Sequence, residues 1–120
     1  MAFNLDGTTE DDVLTAIRDR VANGDLRIGT ASMAAVLATF GLSATGGTVS
    51  TQVWTLAFDA TTVAASATGT AAAAELRDSG GTVRVSGLTV GTGSEDVVID
   101  NTSITSGQNV TVTGSATVGI

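Results

Sequence analysis

Apolar side chains recur every three to four residues near the start of this chain and every second residue after that. In TTEDDVLTAIRDRVANGD, Val13, Ile17 and Val21 fall at i, i+4 and i+8, with Leu14 widening the stripe. That spacing predicts an amphipathic helix over about 9–23. Thr9, with Asp12 three residues on, resembles a capping-box start. Glu10, Asp11 and Asp12 place negative charge in the first turn and Arg18 and Arg20 place positive charge in the last, as the helix dipole favours. Asn23-Gly24 ends the pattern, with Gly24 as the expected left-handed cap.

From about residue 25 to about 118 the period is two, which predicts strands. Leu26 and Ile28 alternate with Arg27 in DLRIGT. Val36, Ala38, Phe40 and Leu42 share a face in AAVLATFGLSA, although Ala and Leu also suit a helix there. TVSTQVWTLAFD predicts one long strand with Trp54, Leu56 and Phe58 on the face that meets the core. TTVAASATGT predicts a connection without structure of its own. AAAAELR and TVRVSG flank Asp-Ser-Gly-Gly, which are the turn residues of a hairpin. Val97 to Ile99 form a short buried run between acids, NTSITSGQ is a turn region, and NVTVTGSATVGI ends the chain as a half-buried strand. The fold class is mainly β: an antiparallel β-sandwich or meander with one N-terminal amphipathic α-helix. No period of 20 to 50 residues recurs, which excludes a solenoid.

Composition narrows the chemistry. The 120 residues make one domain, read as an N-terminal arm over 1–7 and a single β-rich domain over 8–120. Much of the apolar content is Ala and Val, so the core is thin and gains from oligomerisation. The chain carries 12 acids and 5 Arg, without Lys, for a net charge of −7. That balance argues against nucleic acid and against an anionic membrane surface. There is no His or Tyr and no Cys, so disulfides, thiolate chemistry and the usual general bases are missing. No enzyme activity, cofactor or metal is expected. MAFNLDGTTEDD has no basic segment of a secretory signal, and no apolar run is long enough to span a bilayer.

Three motifs invite chemistry. Glu95, Asp96 and Asp100 are oxygen ligands of the type calcium takes, but Val97 to Ile99 separate them and EF-hand spacing is absent. Asn101-Thr102-Ser103 matches a glycosylation sequon and reads as a turn. GTGS at Gly91 to Ser94 lacks the Lys and the following helix of a phosphate loop.

The order of a short helix, GDLRIGT, an alternating strand ending in Phe, and then AELRDSGGTVRVSGLTVGTGSEDVVIDNTSITSGQNVTVT resembles a family of small structural proteins of tailed bacteriophages. The likeness is densest from Ala71 to Thr113 and fainter over residues 1 to 60. It implies a non-enzymatic virion protein made in the host bacterial cytoplasm. The favoured role is a capsid decoration or cement protein that binds the major capsid protein at capsomer junctions, as a homotrimer. A tail or head–tail connector component is the alternative, and a carbohydrate-binding β-sandwich module is a further one. The expected interface residues are Phe3 and Leu5 on the arm, with Glu95 and Asp96 on the acidic turn. Phe3 and Leu5 can equally fold back as a staple beneath the helix.

Overall fold

A computed structural model of the chain describes residues 6–119. Its single α-helix, α1 (Gly7–Val21), begins earlier than Thr9. Asp6 is the N-cap, and its carboxylate accepts the Thr9 N–H at 2.7 Å. Asp in extended backbone is as good a cap as Thr, so the helix gains two residues and the Thr9–Asp12 box does not form. Leu14, Ile17 and Val21 face the core, at i, i+3 and i+7. Val13 lies about 100° round the helix from Leu14 and is 38% exposed, contrary to the expected stripe. At the C-terminus it is Asn23, with φ +64°, that takes the left-handed conformation rather than Gly24. Gly24 is required for another reason: a Cβ there would collide with the Arg77 carbonyl oxygen.

Eleven strands follow. They are β1 (Asp25–Gly29), β2 (Val36–Gly41), β3 (Thr48–Ser50), β4 (Val53–Thr55), β5 (Thr62–Ala64), β6 (Gly69–Thr70), β7 (Ala73–Arg77), β8 (Val83–Gly91), β9 (Val97–Ile99), β10 (Ser103–Ile104) and β11 (Asn109–Gly119). The main sheet runs β2-β1-β7-β8-β9-β11-β4-β3, with β5 also paired to β11, while β6 and β10 form a separate ribbon. All pairs are antiparallel except β8 with β9. The sheet curls until its ends meet. Ser43 N–H donates to the Ala57 carbonyl and Asp59 N–H to the Gly41 carbonyl, both at 2.9 Å, and Ser66 N–H donates to the Leu37 carbonyl at 2.8 Å. The fold is thus mainly β with one N-terminal helix, as expected, in the form of a nearly closed barrel.

Alternation along the strands decides which face is inside. Leu26 and Ile28 on β1 lie opposite Phe40 and Ala38 on β2 and opposite Leu76 and Ala74 on β7, all buried. The outward residues of β1 and β7 pair by charge. Arg77 grips Asp25 with two hydrogen bonds of 2.8 and 2.6 Å, and Arg27 meets Glu75 at 3.5 Å. These pairs are partly solvated and add little stability, but a one-residue slip would break both of them, so they favour this register.

Two segments and one buried residue depart from the sequence expectation. TVSTQVW is a hairpin, β3 and β4 joined at Thr51-Gln52, and not one strand. Both turn residues have positive φ, +53° and +63°, the conformation a two-residue hairpin needs. Thr and Gln rarely adopt it; here the Gln52 N–H is held by the Asp11 carboxylate of α1 at 2.8 Å. TTVAASATGT, expected as plain connection, contributes β5 and β6. Leu37 is buried although it lies on the opposite face of β2 from Phe40, because the segment around Gly69 covers it. The Asp-Ser-Gly-Gly hairpin forms as expected, with Asp78 N–H bonded to the Thr82 carbonyl and Gly81 N–H to the Asp78 carbonyl.

Trp54 is fully buried, and its indole N–H donates to the Gly46 carbonyl at 2.9 Å. Replacing it with Ala removes the largest core side chain and is expected to cost about 3–5 kcal/mol. Trp54→Phe keeps most of the volume but leaves the Gly46 carbonyl without its donor, and should cost about 1–3 kcal/mol. Denaturant unfolding measures both. A wild-type emission maximum like that of free Trp in water, unmoved by unfolding, contradicts the burial.

Candidate functional site

The acidic turn singled out in the sequence joins β8 to β9, the one parallel pair. Parallel neighbours usually need a crossover of a dozen or more residues. Here residues 92–96 suffice, and the acids are the reason. The Asp96 carboxylate accepts the Thr89 N–H at 3.0 Å and the Thr89 hydroxyl at 3.1 Å, while the Asp96 N–H donates back to that hydroxyl at 3.0 Å. The clasp ties the start of β9 alongside the end of β8. Glu95 folds inward and accepts the Gly93 N–H at 3.0 Å. Its carboxylate occupies the space over Gly91, where a Cβ would collide with it. A side chain at position 91 would push the Glu95 carboxylate off the Gly93 N–H.

The neighbouring acids are engaged in the same way. Asp100 accepts the Thr111 N–H at 3.2 Å, and Asn101 accepts the Ser103 N–H at 2.9 Å, closing the sequon into a turn. At the β7–β8 turn, Asp78 accepts N–H groups from Gly80 and Thr82, both at 3.0 Å, and the Arg84 guanidinium at 2.9 Å. Among the described residues only Glu10, Asp12 and Asp59 have no partner for their carboxylates. Of the four residues named as interface candidates, Glu95 and Asp96 are thus turn-forming groups that remain partly accessible. Phe3 and Leu5 lie outside the described residues. No three acidic side chains among the described residues gather into a group that could hold a metal ion. No described helix is long and apolar enough to cross a membrane.

The open depressions lined by described residues include two of note. One lies over the bulge at Ser86-Gly87, with Met33 and Glu75 on its rim. The other lies between α1 and β8 and is lined by Ala16, Ile17, Arg20 and Arg84. The second is not legible in the sequence, because it depends on a bulge. Leu76 pairs with Val85 and Arg77 with Val83, so Arg84 is the extra residue on β8. An extra residue re-aims the side chains around it, and Arg84 comes to line the groove beside the helix.

No protein-family model, curated protein or solved structure matches this chain.

Two of the turn acids give the fold a pH dependence. Asp78 is held below the usual carboxylate range, chiefly by the Thr82 N–H and then by the Arg84 guanidinium. Glu95 is lowered chiefly by the Gly93 N–H. A carboxylate whose pKa is depressed by folding contributes stability above its unfolded value and loses it as pH falls through the folded one. The melting temperature is therefore expected to hold steady from neutrality to about pH 5 and to fall below about pH 4. Asp78→Ala should lower the melting temperature at neutral pH and flatten part of the acid decline. An unchanged profile in that variant contradicts the assignment.

Proposed function

We propose that this chain is a non-enzymatic structural protein of a tailed-bacteriophage particle, namely a capsid decoration or cement protein that binds the major capsid protein at capsomer junctions. The observation that carries this reading is where the acids go. Glu95, Asp96, Asp100 and Asp78 are the residues on which carboxylate chemistry or a cation site would rest, and each is committed to backbone N–H groups of its own turn or of the adjoining strand. A domain that spends its charged groups on holding short loops is suited to presenting a fixed surface. The resemblance over Ala71 to Thr113 supplies the virion setting, and that stretch is the part of the barrel held by these clasps.

A cement protein has to bring buried area and rigidity to a junction, and a curled sheet with tied turns brings both without reactive groups. The carbohydrate-binding alternative is weakened by the position of Trp54. The single Trp is in the core, so it offers no ring face for a sugar to stack on.

The test is the copy number in particles of the phage whose genome encodes the chain, by quantitative mass spectrometry. A decoration protein occupies every equivalent junction of a closed symmetric shell, so on the order of hundreds of copies are expected. A few to a few dozen would place it in the tail or at the head–tail vertex. Absence from purified particles overturns the virion reading altogether.

A further inference from the structure

We propose that two copies of this chain pair through the outward face of α1, crossing at Ala16, with Asp12 of each copy seated in the α1–β8 groove of the other. The proposal does not depend on the virion reading. It names a two-fold contact, where the resemblance alone implies a trimer.

The helix face comes first. Val13, Ala16 and Arg20 recur at i, i+3 and i+7 on the exposed side of α1, with half-buried Ile17 at their edge. Nothing in the described chain covers this face. Ala16 is small enough to let another helix approach closely, and Val13 offers apolar area at 38% exposure.

Charge selects the occupant. Four of the arginines form ion pairs: Arg18 with Asp19, Arg27 with Glu75, Arg77 with Asp25 and Arg84 with Asp78. Arg20 has no ion pair among the described residues. Arg84 uses only its Nε on Asp78, so its two terminal nitrogens keep free donors beside the groove. On a molecule of net charge −7, this groove is a local concentration of cationic donors beside apolar carbon. It fits a carboxylate carried on a helix.

The same helix supplies that carboxylate at the matching position. Asp12 is exposed and has no hydrogen-bond partner among the described residues. It precedes Ala16 by four residues, as Arg20 follows it by four. At 1.5 Å per residue the two lie about 6 Å either side of Ala16 along the axis. Asp12, Ala16 and Arg20 therefore form a single i±4 row. The commonest packing of two helices lays such rows alongside one another, with the axes crossing at about 50°. Let the rows of two copies meet at Ala16 and run in opposite senses. A two-fold axis across the rows then sets Asp12 of one helix against Arg20 of the other, twice, on the side of each helix where Arg84 stands. The contact is self-complementary, as a two-fold interface must be. It is also small, so the dimer is weak and reversible.

Sedimentation velocity from about 1 μM to about 500 μM, the range over which weak contacts dissociate, reads the outcome. The wild-type chain is expected to pass from monomer to dimer and to dissociate more readily as salt rises beyond about 0.15 M. Asp12→Arg and Arg20→Asp each set like charges in both contacts and should weaken association at least about tenfold. The decisive arm mixes the two variants in equal amounts. Each is monomeric alone, but the mixed pair has opposite charges at both contacts again, one with its signs reversed and one as in the wild type. Association therefore returns as a heterodimer. Arg84→Gln leaves the helix sequence intact and should also weaken the wild-type dimer, which keeps the proposal testable if a helix variant misfolds by circular dichroism. A wild-type chain that stays monomeric, or forms trimers unaffected by Asp12→Arg, overturns the proposal. So does a mixture of the two variants that stays monomeric although both are folded.

Discussion

The curl of one sheet is the constraint on which the rest of this structure depends. Its interior is lined by small side chains such as Ala38 and Ala74 as well as by larger ones. Two flat sheets stacked face to face stand about 10 Å apart, and side chains from both must fill the gap. Alanines cannot do that. A sheet that bends back on itself encloses less space, and here Trp54, Phe40 and Leu14 are among the largest side chains buried in the core. The curl is held by backbone. Gly41 and Ser43 bond to the segment after β4, and the Leu37 carbonyl accepts from Ser66. Those bonds also protect the outer edge of β2, which an open sheet would leave as a template for other chains.

Closure makes demands on connections, and the polar residues answer them. The eleven-residue β11 meets β5 with its first residues, β9 with its middle and β4 with its last, with a break in register between Val112 and Ala116. One long strand can serve three short ones only if those arrive in the right order and direction. β9 arrives parallel to β8 after a short link, which Asp96 and Thr89 hold closed. The acidity of SEDVVID is in this sense a folding requirement. An ionised Asp offers two acceptor oxygens and can take several donors at once, where a neutral side chain of similar size takes fewer. The same logic applies at Asp78, where one carboxylate holds two backbone amides and a guanidinium.

Local pattern is what the amino-acid order makes legible. Period-two alternation finds β1, β2, β7, β8 and β11, a short apolar run between acids finds β9, and turn chemistry finds the Asp78–Gly81 hairpin. The helix pattern has its ends displaced by about one half-turn, because Asp6 and Thr9 are both competent caps and local sequence does not choose between them. Features decided at a distance are not legible. The Thr51-Gln52 turn has no glycine or asparagine to announce it, and depends on Asp11, which is 41 residues from Gln52 in sequence. Val13 looks like a core residue because an i, i+4, i+8 stripe is as regular as the i, i+3, i+7 one that packs. β5 and β6 have too few apolar residues to stand out from a loop, and acquire their order from β11 and β10. At the candidate site, the acids stand out as residues of consequence, but their partners are backbone groups, which carry no sequence signal. The groove beside α1 is invisible because a bulge in β8 creates it.

The distribution of charge ties these features together. Folding sets Arg18, Arg27, Arg77 and Arg84 against acids of this same chain, so nearly all its positive charge is screened locally and the outward field is that of an acidic body. Such a field repels copies of the chain from one another at long range and attracts basic partner surfaces. Any contact between two copies must therefore be made at short range, where a few desolvated pairs outweigh the mean repulsion. It strengthens first with salt that screens the bodies, and weakens as more salt screens the pairs. A contact with a basic partner has no such balance, since the long-range and short-range terms share a sign and both decline with salt. Arg20, without an ion pair among the described residues, and the partly used Arg84 matter for this reason. Because the rest of the positive charge is committed to the fold, whatever specificity this surface has for a negatively charged group is concentrated on that one side of the helix.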